Sequence, residues 1–300
     1  MLLCKVLKTS RYLSVSAAVL IFAVLMSPAL QAADVRLTVS DLISDAVLPV
    51  LREAAEAQGI ALDIRALGSL PAVTEMRNEE IDLTVLAHPI TANPLDDTFK
   101  VLPLAYELVF VVTHSRNPIN DLNLRQLAGI FGSGEELNLT QWIELGVTDL
   151  AGRSINPAAL SDTRSMAAEL FRNSTLAGRQ FRSSVNMLAF EQLQTFLAGD
   201  PSTIGLSNRN PTHRQLKVIS VSQREGTPAF RPNPENAYFE DYPLRLPFVI
   251  AFPERARARV MPVINILLGD EVAAALEAAH KIPLPEGARQ GLLSDLRSGR

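Results

Sequence analysis

The chain has 300 residues, 47% hydrophobic, 20% charged and 6% aromatic, so it holds enough apolar material for one large or two ordinary domains and is neither disordered nor polyionic. A formal charge of -4 argues against broad electrostatic capture of nucleic acid. One Cys and four scattered His argue against thiolate metal modules and disulfide scaffolds.

The chain opens with a positive segment (Lys5, Lys8, Arg11), then a mostly apolar stretch from Leu13 to Met26, then Ser27-Pro28-Ala29-Leu30-Gln31-Ala32-Ala33. That order predicts a secretory signal peptide over residues 1–32 and an exported, periplasmic protein. The apolar stretch is short for a membrane span, which needs about 20 residues; an uncleaved N-terminal anchor is the other reading. Loss of the segment removes the single cysteine, Cys4, so the remainder relies on ordinary hydrophobic cores.

Val35 to Val39 alternates apolar and polar residues as a strand does. Ser40 or Asp41 then caps a helix running to Gln58, with Gly59 ending it. Ile60 to Ala66 reads as a second strand, Ala72 to Asn78 as a short helix, and Ile81 to Leu86 as a third strand. Strand, helix, strand, helix, strand predicts an α/β protein with a parallel sheet wrapped by helices. Ligands in such sheets sit at the carboxyl ends of the strands, where Ser40 and Ser69 fall.

Leu102 to Thr113 predicts one long apolar strand, long enough to cross between lobes. A helix follows over Asn123 to Phe131, then a polar loop through Gly132-Ser133-Gly134 and a segment with Trp142, expected in a core or hinge surface. Ser161-Asp162-Thr163 opens a patterned helix through Met166, Leu170 and Phe171. Val185 to Ala198 reads as helical, Thr203 to Leu206 as a buried strand, and Gln215 to Val221 as another alternating segment. A polar, proline-bearing excursion spans Gln223 to Pro243, Leu246 to Phe252 is a returning strand, and two helices precede a polar tail. No nucleophile elbow, Walker A loop, dinucleotide fingerprint or helical His pair occurs, which points away from an enzyme. Neither a cofactor nor a metal is expected.

The order of these segments resembles the periplasmic solute-binding proteins of the phosphate-binding type, receptors that feed ABC importers. The residues that carry the resemblance are Leu104-Ala105-Tyr106 through Val112, Asn117-Pro118, Leu124 to Phe131, Trp142 with Gly146, and Ser161-Asp162-Thr163-Arg164 with Phe171. Asp200 to Leu206, Tyr242-Pro243-Leu244 and Ile282-Pro283-Leu284-Pro285 complete it. The resemblance implies a two-lobed periplasmic-binding-protein-like fold with a hinge of crossing strands, one lobe from residues 34–106 plus 244–300 and the other from 107–243. It also implies a monomer that clamps a small, phosphate-like anion and passes it to ABC importer membrane subunits, with no nucleic acid partner. The ligand-binding residues it implies are Ser40, Asp41, Ser69, Ser161, Asp162, Thr163 and Arg164. Backbone N–H groups at helix N-termini and neutral hydroxyls suit an oxyanion, even in an acidic protein.

The chain departs from the family pattern at that site. Asp162 stands where the family has Gly, Leu86-Ala87-His88 replaces its Ser-Asp, and no Arg stands in register before Ser161. Ser161-Asp162-Thr163 and Ser40-Asp41 therefore each read in two ways, as helix caps or as ligand contacts. His88 is a cleft donor or a loop histidine, and Arg164 faces the cleft or solvent. Two functions remain: an oxyanion receptor, or a diverged two-lobed binding or sensory module that has lost the site and contacts another protein.

Overall fold

The computed structural model describes residues 35–88, 95–162 and 165–298. The expected signal peptide, with Thr163 and Arg164, lies outside the described residues. The opening follows the periodicity closely: β1 (Val35–Val39), α1 (Ser44–Ala57), β2 (Leu62–Ala66), α2 (Ser69–Arg77) and β3 (Leu83–Ala87). Helix α1 begins at Ser44, with Ile43 as its N-cap, so Ser40 and Asp41 belong to the preceding turn rather than to the cap. Gly59 takes a positive φ of 69°, which ends the helix as its position predicts. β1 pairs in parallel with both β2 and β3. β3 is buried at all five positions, as a strand covered on both faces must be.

The expected single strand over Leu102 to Thr113 is two strands, β4 (Phe99–Leu108) and β5 (Phe110–His114), which belong to different sheets. Val109 lies between them with no exposure. Its N–H donates to the Leu244 carbonyl at 3.0 Å, and its carbonyl accepts the Tyr242 hydroxyl. Apart from Glu107 the run is apolar through the crossing because both sides are core, so the periodicity does not place the break.

Beyond the crossing come β6 (Asp121–Asn123), α3 (Leu124–Phe131), β7 (Asn156–Leu160) and α4 (Ala167–Thr175). Next are β8 (Asn186–Leu188), α5 (Phe190–Gly199), β9 (Thr203–Ser207), β10 (Leu216–Val218) and β11 (Ser220–Ser222). Asn123 caps α3 reciprocally with Gln126, at 2.9 Å in each direction. The apolar residues of the helix expected over Val185 to Ala198 divide between β8 and α5, because β8 pairs in parallel with β7 before the helix starts. Trp142 is fully buried and donates its indole N–H to the Ser202 carbonyl at 2.9 Å. The rings of Phe131, Phe171 and Phe181 pack together, with centroids 5.3 to 6.4 Å apart.

The excursion carries β12 (Ala229–Phe230) and α6 (Pro234–Tyr238), and the chain returns as β13 (Arg245–Pro253). The C-terminal part has three helices rather than two: α7 (Arg257–Leu267), α8 (Asp270–Ala278) and, after β14 (Ile282–Pro283), α9 (Glu286–Ser298). The expected polar tail is thus helical, held by Arg289, which bonds the Leu268 carbonyl and Asp270.

One sheet has six strands in the order β14-β4-β13-β3-β1-β2, another has five in the order β10-β5-β9-β7-β8, and β12-β11-β6 form a small third. The six-stranded sheet is mixed rather than parallel throughout, since β13 runs antiparallel to both β3 and β4. α1 packs with α7 and α8 on the first sheet; α4 and α5 pack on strands of the second. The result is a two-lobed α/β fold joined by the crossing strands.

Asp82, buried just before β3, ties that strand to its neighbour β1 in the interior of this sheet. It takes Arg36 in two side-chain bonds at 2.9 and 3.2 Å and Arg259 at 3.0 Å. Burial alone would raise its pKa, but the Arg36 hydrogen bonds and the charges of Arg259 and Arg36 outweigh that and hold it below its ordinary 3.8. A depressed carboxylate stabilises the fold above the unfolded pKa, and this contribution is lost as pH falls through the folded value. Thermal unfolding of Asp82→Asn should therefore show a shallower acid-induced loss of Tm than wild type below about pH 4. At the crossing, Tyr242→Phe removes the hydroxyl that satisfies the buried Val109 carbonyl. It should cost about 1–3 kcal/mol, read as a lower urea midpoint with an unchanged slope.

Candidate functional site

Ser40 directly follows β1 and Ser161 directly follows β7, while Ser69 opens α2. β1 and β3 run in parallel, so their carboxyl ends lie together, and β4 and β13, antiparallel to each other, bring Glu107 and Leu246 to the same edge. In the second sheet β7 and β9 are parallel, so Ser161 leaves the sheet beside Ser207 and Asn208. These are the ends at which an α/β sheet receives ligands.

Ser40 is fully buried. Its N–H donates to Val85 at 2.7 Å and its hydroxyl oxygen accepts from Leu42 N–H at 3.4 Å. Asp41 is exposed, and its carbonyl accepts the Ser44 hydroxyl at 3.4 Å. The Ser69 hydroxyl oxygen accepts the Ala87 N–H at 3.1 Å. Ser40 and Ser69 are therefore brought to two positions of one strand, β3, two residues apart. His88 follows, its N–H on the Pro247 carbonyl at 2.8 Å and its Nδ1 buried without a partner among the described residues.

Across the crossing, Ser161 is exposed and its N–H donates to Leu188 at 2.8 Å; Asp162 is half-buried and its carbonyl accepts Ser165 N–H at 3.1 Å. Neither residue caps α4, which starts at Ala167 after Met166. This corrects the expectation that Ser161-Asp162-Thr163 opens the helix. The helix start is served instead by Glu107, whose Oε1 accepts the Ser165 hydroxyl at 2.8 Å and the Met166 N–H at 2.7 Å. Its Oε2 accepts from Lys281 Nζ at 2.9 Å. Glu107 has no exposure and Lys281 only 3%.

Sequence reasoning does not single out Glu107. A lone acid inside an apolar run, between Tyr106 and Leu108, is the available signal. A carboxylate with no water around it, in a strand otherwise apolar on both sides, demands a partner.

Arg209 follows the end of β9. Its guanidinium lies 3.7 Å over the Phe190 ring, at the start of α5, and its Nη1 contacts Nε2 of His280. The neighbouring Asn208 is buried and its Oδ1 is unpartnered.

Two cavities lie elsewhere. One of about 480 Å³ is lined by Arg125, Glu135, Glu136 and Arg179 beside α3; one of about 280 Å³ is lined by Pro118, Ile119 and Gly146 to Asp149. Neither contains an expected site residue. Among the described residues no three His, Cys, Asp or Glu side chains converge as metal ligands would.

A family model for a PBP superfamily domain matches residues 27–268. Protein SphX of Synechococcus elongatus is 26% identical over 234 residues, covering 74% of this chain and 69% of that one. The crystal structure of PstS from Borrelia burgdorferi superposes with a TM-score of 0.70 at 16% identity, covering 84% of this chain and 98% of that one. An ABC-type phosphate transport receptor from Vibrio cholerae superposes with a TM-score of 0.59 at 16% identity, covering 84% of this chain and 100% of that one.

Burial of the His88 ring lowers its pKa from the usual 6.5. An NMR titration should place its midpoint below that value, leaving the imidazole neutral at pH 7.

Proposed function

The chain belongs to the PBP superfamily, and from that premise we propose that it is an exported, non-enzymatic substrate-binding protein for phosphate or a related small oxyanion, delivering it to an ABC importer. The observation that supports this reading is that Ser40 and Ser69 both bond to β3 near its carboxyl end in one sheet, while Ser161 directly follows β7 in the other, the two sheets being joined by the buried crossing at Val109. The descriptions of the Borrelia and Vibrio structures support the same reading over a diverged sensory module. Sheet membership supports lobes of residues 34–106 plus 244–300 and 107–243.

Chemically, Ser161 is the most available donor, because it is exposed, while Ser40 is buried and its hydroxyl is turned toward the Leu42 amide. Oxyanion binding on the Ser40 side would turn the hydroxyl from that 3.4 Å contact to the ligand. Asp162 stands beside the donors. Ionised, it disfavours a fully charged anion; it also accepts a proton from a partly protonated one. The reading therefore favours the singly charged, diprotonated form of phosphate over the monoprotonated dianion.

Calorimetry with inorganic phosphate tests this. Ser161→Ala should weaken binding by roughly tenfold, since a hydrogen bond to a charged group is worth about 1.5–3 kcal/mol and 1.4 kcal/mol is one decade. Asp162→Gly should strengthen it. Absence of phosphate binding by both wild type and Asp162→Gly overturns the phosphate reading.

A further inference from the structure

We propose that Glu107 is a built-in anion that clasps the two sheets together, so that this protein closes on its own charge rather than waiting for a ligand's. Three elements meet at one carboxylate. Glu107 lies next to last in β4, and Lys281 immediately precedes β14, the neighbour of β4 in the six-stranded sheet. Ser165 and Met166 lead into α4, which packs on β7 and β9 of the five-stranded sheet.

The division of contacts gives the clasp its meaning. Oε2 is used within the first sheet, by Lys281 at 2.9 Å. Oε1 is used across the crossing, by the Ser165 hydroxyl at 2.8 Å and the Met166 N–H at 2.7 Å. An ion pair serving the first sheet alone would leave Oε1 buried and empty, whereas donors from the helix start satisfy it. The donors are also the right kind, since the first N–H groups of a helix have no partner inside it and carry partial positive charge.

A second contact joins the same places. Arg209 leaves β9 of the five-stranded sheet, stacks on Phe190 and meets His280, the residue before Lys281. The segment 280–281 is thus reached from the second sheet directly by Arg209 and through Glu107 by α4.

In a two-lobed receptor a ligand that touches both lobes shifts the population toward the closed form. Here a protein carboxylate already makes the equivalent bridge. The closed form is then populated before binding, which removes the reduction in apparent affinity that a mostly open protein carries. The clasp also supplies an acceptor at the α4 start, where neither Ser161 nor Asp162 caps the helix.

Small-angle scattering on the ligand-free protein tests the clasp without any ligand present, so its failure and the failure of the phosphate reading are distinguishable. Removing Glu107 alone would strand the buried Lys281 charge, so the first variant is Glu107→Leu with Lys281→Met, which deletes both charges together. The second is Ser165→Ala, which leaves the Glu107–Lys281 pair intact and removes one donor from the far side. The expected result is a larger radius of gyration for the double variant and a smaller increase for Ser165→Ala, each with a folded circular dichroism spectrum. Phosphate binding by the double variant should fall roughly tenfold as the closed fraction drops. Unchanged radii in the folded variants overturn the clasp. If the double variant does not fold, an unchanged radius in Ser165→Ala overturns it alone.

Discussion

A polypeptide that passes from one sheet to another through a dry core must find partners for the peptide groups that neither sheet satisfies. Val109 is that point. It has left β4 and not yet entered β5, it is fully buried, and its N–H and carbonyl are met by the Leu244 backbone and the Tyr242 hydroxyl. An unpaired peptide group there would cost about as much as a good part of a small domain's stability margin. The returning strand must therefore start where it does, and residues 242–245 are fixed in space by the needs of residue 109. Glu107 and Arg245 take their places from that arrangement, one just before the crossing and the other just after.

Burying Glu107 and Lys281 together is expensive in desolvation, and a buried pair is by itself weak evidence of stability. What offsets the cost is completeness: both carboxylate oxygens are occupied, and the α4 start gains an acceptor for a helix N–H. Asp82 shows the contrast. Its partners Arg36 and Arg259 are half-exposed, so it stabilises locally, at the amino end of β3, and touches only one sheet.

Much of this fold is legible in the residues themselves. The β-α-β-α-β opening has clean periods of 2 and 3.6, so the elements of residues 35–87 can be placed to within a few positions, although the expected Ser40 or Asp41 cap is not the one α1 uses. Local signals fail where pairing partners are distant. Leu102 to Thr113 looks like one strand because the crossing is apolar on both sides, and Asn186 to Leu188 is a strand because β7 lies beside it. The same reason hides the acid that links the two sheets. Glu107 is explained by Ser165, 58 residues away, and Lys281, 174 residues away, and no window of sequence holds all three. Ser40 is legible as a strand end and Ser69 as the start of the next helix; the environment of their hydroxyls is not.

The strand order has a consequence for the order of assembly. Every strand of the five-stranded sheet comes from residues 110–218, a continuous stretch, whereas the six-stranded sheet places β13 between β3 and β4. β3 cannot acquire that neighbour until residues 248–251 have been made, and until then its five buried positions have one open edge beside them. Closing so long a loop is slow, although its entropic cost grows only logarithmically with length. The later-synthesised sheet can thus complete itself first, while the first-synthesised strands wait with exposed apolar surface for the end of the chain, the state most open to aggregation or to a chaperone.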